Sequence, residues 1–299
     1  IRGGTNLAEG IRRGLQVVRR QQADAKVIVV LSDGEADSPE EAVRAGVEAS
    51  TEGIQVFAVG IGDEFKADDL QRVVRPSNGA VLGERDADKL KTAFGVLLGR
   101  IESFVATNAQ LTLSLQQGVH PGTVYKTSPE RAFIGTLTPG DRTIRLPVGN
   151  VERDQSYGFL LSLTTPARPS GELEIASASL TYDVPMLHLR GQREDVAITV
   201  VYDERPHQDA NAAVEQAYSR AKLAELVDEL AASERTMNVA KSNELLNVLT
   251  RRSEAQGDTR MLAELRGVTP PIPQTKLNAL VLAATARAAE SIAPVWAAA

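Results

Sequence analysis

A chain of 299 residues, 42% hydrophobic and 24% charged, has length for two or three domains and the composition of a soluble globular protein. A net charge of −6 without any block of lysine and arginine argues against a nucleic-acid surface. The lack of cysteine excludes disulfides, thiolate metal sites and thiol chemistry. No apolar run approaches the ~18 residues of a membrane span, and nothing at the start has the form of a signal peptide. The chain opens on Ile1 in what reads as the middle of a domain, so an upstream part is expected.

Gly3-Gly4-Thr5-Asn6 reads as a turn into a helix, with Asn6 and Glu9 spaced as a capping box. Leu7, Ile11, Leu15 and Val18 recur at helical spacing. Val27–Leu31 is an unbroken β-branched and apolar run, the pattern of a central strand of a parallel sheet, buried on both faces. It stops at Ser32-Asp33-Gly34, which puts a carboxylate at the strand's C-terminal end, where open α/β sheets hold their ligands. An Asp-Gly pair is also an ordinary turn signal. Ser38-Pro39-Glu40-Glu41 starts a second helix with Ser38 as cap, ending near Gly53. Ile54–Ile61 is a second strand, closing on Gly60-Ile61-Gly62; Phe65 stands where a nucleotide loop needs its third glycine. A short helix through Leu70, Val73 and Val74 stops at Pro76, and a weaker strand covers Ala80–Leu82. A helix from about Asp86 then aligns Leu90, Phe94, Leu97, Leu98 and Ile101. Helices alternating with strands predict a parallel sheet covered on both sides.

Three ordered features of this first third, Gly4-Thr5-Asn6-Leu7, Leu31-Ser32-Asp33-Gly34-Glu35 and Val56-Phe57-Ala58-Val59-Gly60-Ile61-Gly62, resemble the second half of a von Willebrand factor type A domain. The resemblance implies a partial Rossmann-like sheet carrying a metal-ion-dependent adhesion site for Mg²⁺, or for Mn²⁺ or Ca²⁺. It further implies that Thr5 and Asp33 are metal ligands, with Gly4, Asn6 and Glu35 on the rim. The family's Asp-x-Ser-x-Ser loop is absent before Thr5; Asp154-Gln155-Ser156-Tyr157-Gly158 is only a partial likeness. Mg²⁺ takes six oxygens, so two side-chain ligands predict weak or absent metal binding in this chain. Without its neighbour in the family, Val27–Leu31 should expose an apolar edge open to pairing.

From about residue 103 the period changes. Leu111, Leu113 and Leu115, and Ile144, Leu146 and Val148, alternate with polar residues. Tyr157–Leu163, Glu172–Val184 and Val196–Tyr202 are further strands; turns fall at His120-Pro121-Gly122, Pro139-Gly140-Asp141 and Pro166 to Gly171. This predicts an antiparallel sandwich over 103–203, as follows the A domain in a group of bacterial proteins. His120 and His188 lack metal or triad spacing and read as structural. Over 204–299 the composition turns to Ala, Glu, Leu and Arg at helical spacing. Stripes through Val214–Leu230, Val239–Leu249 and Met261–Leu265 are followed by Pro270, Pro271 and Pro273. A last Ala-rich helix runs from Leu277 to Ile292, with Trp296 behind it. A helical bundle on the sandwich is expected, with the last helix as an alternative docking element.

No nucleophile or base emerges, since Ser32 lacks the glycine frame of a nucleophile elbow. The reading is therefore a non-enzymatic, metal-ion-dependent protein–protein interaction module whose partner supplies an acidic residue. It predicts no nucleic acid, self-association through the open strand or last helix, and a cytoplasmic location. The alternatives are a metal-independent scaffold and a Mg²⁺-dependent phosphohydrolase built on Asp33.

Overall fold

The most deeply buried strand is β2 (Gln55–Ile61), whose first six residues are all inaccessible. The computed structural model describes residues 6–84, 89–204 and 211–286. The opening turn with Thr5, the start of the helix expected from Asp86, and the chain's end with Trp296 lie outside the described residues. β2 sits between β1 (Val27–Ser32) and β3 (Val81–Glu84) in a parallel three-stranded sheet of order β1-β2-β3. The run whose composition reads as central thus lies at the side, with the open edge expected of it without its family neighbour. Among the described residues β1 pairs with β2 alone; only Ile28 and Ser32 are buried, and Leu31 is exposed. Hydrophobicity marks a strand as core-forming but does not say which neighbour covers it; here the mixed Gln55–Ile61 segment takes the middle.

The helices form where their caps and stripes predict. α1 (Leu7–Arg19) starts with the Asn6 side chain accepting the Glu9 N–H at 2.9 Å, and buries Leu7, Ile11 and Leu15. The Glu9 carboxylate turns outward to Arg13, 2.7 Å away, so only half of the expected box forms. α2 (Pro39–Thr51) begins at the expected proline, but the Ser38 side chain makes no cap bond. α3 (Ala67–Val74) crosses α2 so closely that a Cβ on Gly46 would lie 2.1 Å from the Val73 carbonyl oxygen. α4 (Leu90–Glu102) covers the other face of the sheet through Leu97, packed with Phe57, Val59 and Ala80, whereas Leu98 points to solvent.

Two antiparallel sheets follow. β4 (Phe104–Leu115), β7 (Thr143–Glu152), β9 (Gly171–Val184) and β10 (Leu189–Tyr202) make one, ordered β10-β9-β4-β7. β5 (His120–Ser128), β6 (Ala132–Thr136) and β8 (Gly158–Thr164) make the other, ordered β6-β5-β8. Leu113, Leu115, Val124, Ile144, Leu146 and Ile175 fill the space between. His120-Pro121-Gly122, expected as a turn, is part of β5, and the chain reverses just before it at residues 116–119. β5 and β6 escaped the period-two reading because Gly, Pro and Lys interrupt their apolar alternation.

The helices α5 (Ala212–Arg235), α6 (Val239–Gln256), α7 (Thr259–Leu265) and α8 (Gln274–Ala284) join both layers. One continuous core runs from Leu7, Ile11, Val56 and Leu70 to Leu230, Leu249, Leu280 and Val281. α5 also lies on the sandwich, where Tyr125 packs edge-on against Tyr218 at 5.8 Å and donates its hydroxyl proton to Glu225 at 2.5 Å. The bundle expected on the sandwich therefore packs on the parallel sheet's helices as well.

Two substitutions test this packing. Gly46→Ala should lower stability by about 1–3 kcal/mol through the clash with Val73. Gly10→Ala, on an open face of α1, should be neutral or stabilising by about 1 kcal/mol; urea unfolding measures both. Asn278→Ala removes the acceptor for the Ala67 N–H (3.0 Å) and the donor to the Phe65 carbonyl (2.6 Å), both buried. It should cost at least about 2 kcal/mol, and a midpoint unchanged from wild type would refute this role of Asn278.

Candidate functional site

A parallel strand delivers its last side chain to the same end of the sheet as its neighbours. At that end Ser32 is buried and donates its hydroxyl proton to the Gly34 carbonyl at 3.0 Å, which bends the chain away from β1. Asp33 stands at this bend, exposed, and no hydrogen bond or ion pair engages its carboxylate among the described residues. Asp37 in the same loop is likewise exposed and unengaged among the described residues, whereas two other acids are paired. Glu35, expected on the rim, accepts Lys66 at 2.5 Å, and Glu40 accepts Arg72 at 2.5 Å. Asn6 spends its side-chain oxygen capping α1. α1 packs on β1, with Gly14 lying against Ile28. Thr5 itself lies outside the described residues.

The first turn of α3 occupies the same end. Lys66 offers α3 no side-chain cap; Asn278, from α8, supplies it by accepting the Ala67 N–H. Asp68 and Asp69 follow, both buried. Asp68 pairs with Arg235 of α5, yet its Oδ1 and that of Asp69 have no hydrogen-bond partner, and Asp69 lies 3.6 Å from Arg72. Burial, then the charge of Asp68, raise the Asp69 pKa above the ordinary carboxylate value. Nothing in the sequence marked these two, because Asp in a first turn is also ordinary helix-dipole placement; their burial comes from α5 and α8, which lie more than a hundred residues away.

The opposite end of the sheet is closed by the sandwich. Asn150 donates to the Gln55 side chain at 3.1 Å, and Asn78 donates to the Val148 carbonyl. A polar cavity of about 210 Å³ lies there, lined in part by Ser50, Gln55, Asn108 and Thr181. Arg100 of α4 sits 5.0 Å over the Phe57 ring and pairs with Glu130 at 2.7 Å and Glu152 at 2.9 Å; Lys126 also reaches Glu130 at 3.1 Å. Burial works against the Arg100 charge, but the two carboxylates outweigh it and hold its pKa above the ordinary value. Burial likewise pushes the Tyr157 hydroxyl up to about 12; it bridges the Asn150 carbonyl and the Glu152 N–H at 3.1 Å each. Asp154, the start of the partial loop likeness, is in the turn between β7 and β8 on this sandwich side. The length of β1, about 20 Å at 3.3 Å per residue, separates it from Asp33. His120 is held at 2.7 Å from the Pro139 carbonyl, and His188 sits in the β9–β10 hairpin. Among the described residues no group of three or more His, Asp or Glu is placed to hold a metal ion, and no helix is long and apolar enough to cross a membrane.

An open parallel sheet between helices, with a bare carboxylate at the carboxyl end of a strand, has the architecture of a doubly wound α/β fold. Residues 1–95 match the family model of the von Willebrand factor type A domain. The whole architecture is similar to the solved von Willebrand factor type A protein from Catenulispora acidiphila. The TM-score is 0.81 at 16% identity, covering 96% of this chain and 71% of that one. The ArnB paralog VWA2 from Sulfolobus acidocaldarius (0.56, 13% identity, 95% and 70% covered) and the human COPII-coat protein Sec24c (0.56, 9%, 94% and 43%) share the fold. In sequence the chain is 27% identical over 190 residues to the uncharacterized protein sll0103 of Synechocystis sp., covering 61% of this chain and 45% of that protein. The chain thus matches less than half the length of that curated relative.

Asp69 makes a pH prediction. A carboxyl whose folded pKa is raised contributes stability below its unfolded pKa, ~3.9, and loses it as pH rises through the higher folded value. Asp69→Asn should therefore be more stable than wild type at neutral pH, with a flatter dependence above pH ~4. Urea midpoints across that range read the slope; one equal to wild type would sink the assignment.

Proposed function

We propose that this chain carries a metal-ion-dependent protein–protein interaction module in which Asp33, with Thr5, ligates a Mg²⁺-type cation that a partner's carboxylate completes. The observation that carries the reading is the Asp33 carboxylate, bare and exposed at the strand end while Glu35 and Glu40 beside it are neutralised by Lys66 and Arg72. An unpaired acid held by a rigid strand end is set to receive a cation or a cationic group. The described donors do not by themselves complete an octahedral shell. Thr5, water, the partner and any further residues of the natural polypeptide would supply the remaining oxygens, and affinity for metal alone should be low.

The incomplete donor set also favours a second reading, a scaffold that binds its partner without metal. Calorimetric titration of Mg²⁺ and Mn²⁺ into the full natural polypeptide, with and without Asp33→Ala, tests the first. The expected result is metal binding weakened at least about tenfold by the substitution (~1.4 kcal/mol), and partner binding lost in chelator. Partner binding that persists in chelator and in Asp33→Ala would leave the scaffold. Turnover of a phosphoester abolished by Asp33→Ala would replace both with a hydrolase.

A further inference from the structure

Arg131, half-buried just before β6, forms no ion pair among the described residues. Arg75, Arg100 and Lys126 are enclosed too, and each of them meets a carboxylate. The Arg131 guanidinium donates instead to the carbonyls of Ala286 and Ala283, at the end of α8, at 3.3 and 3.4 Å. Both bonds are long, and a helix end offers only about half a negative charge. Burial lowers the Arg131 pKa below the ordinary arginine value; Arg220 and Arg260 add to that shift, and Asp258 alone opposes it.

Contacts among three parts of the fold gather these groups. Phe133 of β6 packs against Tyr125 at 5.5 Å, and Tyr125 against Tyr218 at 5.8 Å, which sets the start of β6 beside this stretch of α5. Gln256 donates to the Ser219 carbonyl at 3.0 Å, which brings the α6–α7 junction, with Asp258 and Arg260, against the same stretch. Arg220 and Arg260 are exposed and form no ion pair among the described residues. Asp258 is partly engaged already, since its Oδ1 accepts the Met261 N–H at 2.9 Å as the cap of α7. Three guanidiniums thus stand around one carboxylate, an excess of two positive charges.

We propose that Arg131, Arg220 and Arg260 form a binding site for a phosphoryl dianion, either free phosphate or a phosphate monoester. The planar guanidinium fork matches phosphate oxygens and can bind two of them at once. Two negative charges balance the excess, where a single carboxylate would leave half of it. Arg131, anchored on the end of α8, would form the floor, and the long exposed side chains of Arg220 and Arg260 would close over the anion. The inference is independent of Asp33 and of any cation.

The test titrates the whole chain, in chelator, with inorganic phosphate and with phosphoserine amide, using serine amide and chloride as controls and calorimetry as the readout. Both phosphates should bind with Kd on the order of 1 mM or tighter, and neither control should. The tighter of the two probes identifies the source. Arg220→Gln and Arg260→Gln should each weaken binding about tenfold at unchanged melting temperature, since both side chains are exposed. Asp258→Asn keeps a good cap on α7 but removes the opposing charge, and should strengthen binding about threefold; a purely structural cluster predicts no such gain. Affinity for phosphoserine amide should fall as the pH drops through its second pKa, ~6. No phosphate binding, wild-type affinity in both arginine variants, chloride binding as well as phosphate, or weaker binding in Asp258→Asn would overturn the proposal. So would binding that appears only in Glu290→Gln, which would give the arginines to the chain's own carboxylate.

Discussion

The arrangement hangs on the packing of Phe65 against two glycines. A Cβ on Gly60 would lie 2.2 Å from the Phe65 ring, and one on Gly83 would lie 2.5 Å from Leu282 and 3.2 Å from the same ring. The carboxyl ends of β2 and β3 are therefore smooth, and the ring and α8 can lie directly on the sheet. A three-stranded parallel sheet has too little surface to bury itself, and needs helices on both faces. α8 provides cover from the far end of the sequence, and its Asn278 satisfies the main chain on both sides of Lys66. Packing and hydrogen bonding coincide at one point, which is why the cores of the first and last segments are continuous.

That contact assigns the two ends of the sheet to different tasks. The amino end is sealed by the sandwich through Gln55, Asn78 and Asn150, and through the Arg100 ion pairs under α4. Removing one partner from such a buried pair typically costs 3–5 kcal/mol, so this end is fixed. The carboxyl end keeps Asp33 in solvent, clear of the sandwich. Rigidity behind an exposed carboxylate favours recognition, since little ordering remains to be done when a partner arrives.

Much of this was legible in the sequence, and the misses share one cause. Asn6, Pro39, the Leu7–Leu15 stripe and the change of period near residue 103 are local signals, and each produced the element it predicts. The role of Gly60, room for the Phe65 ring, is visible only in the fold. The burial of Asp68 and Asp69 and the borrowed cap at Ala67 depend on residues far along the chain. The exposure of Asp33 was foreseeable from the strand end; its lack of a partner was not, because Lys66 could have paired with either Asp33 or Glu35.

The borrowed cap also bears on how the molecule can be divided. A fragment cut after Glu102 would contain the entire parallel sheet but would leave the first turn of α3 with an unanswered N–H, and the surface beneath α8 wet. Its instability would say nothing of the sheet's own design. The boundary that sequence composition draws between segments is one that the folded polypeptide does not observe.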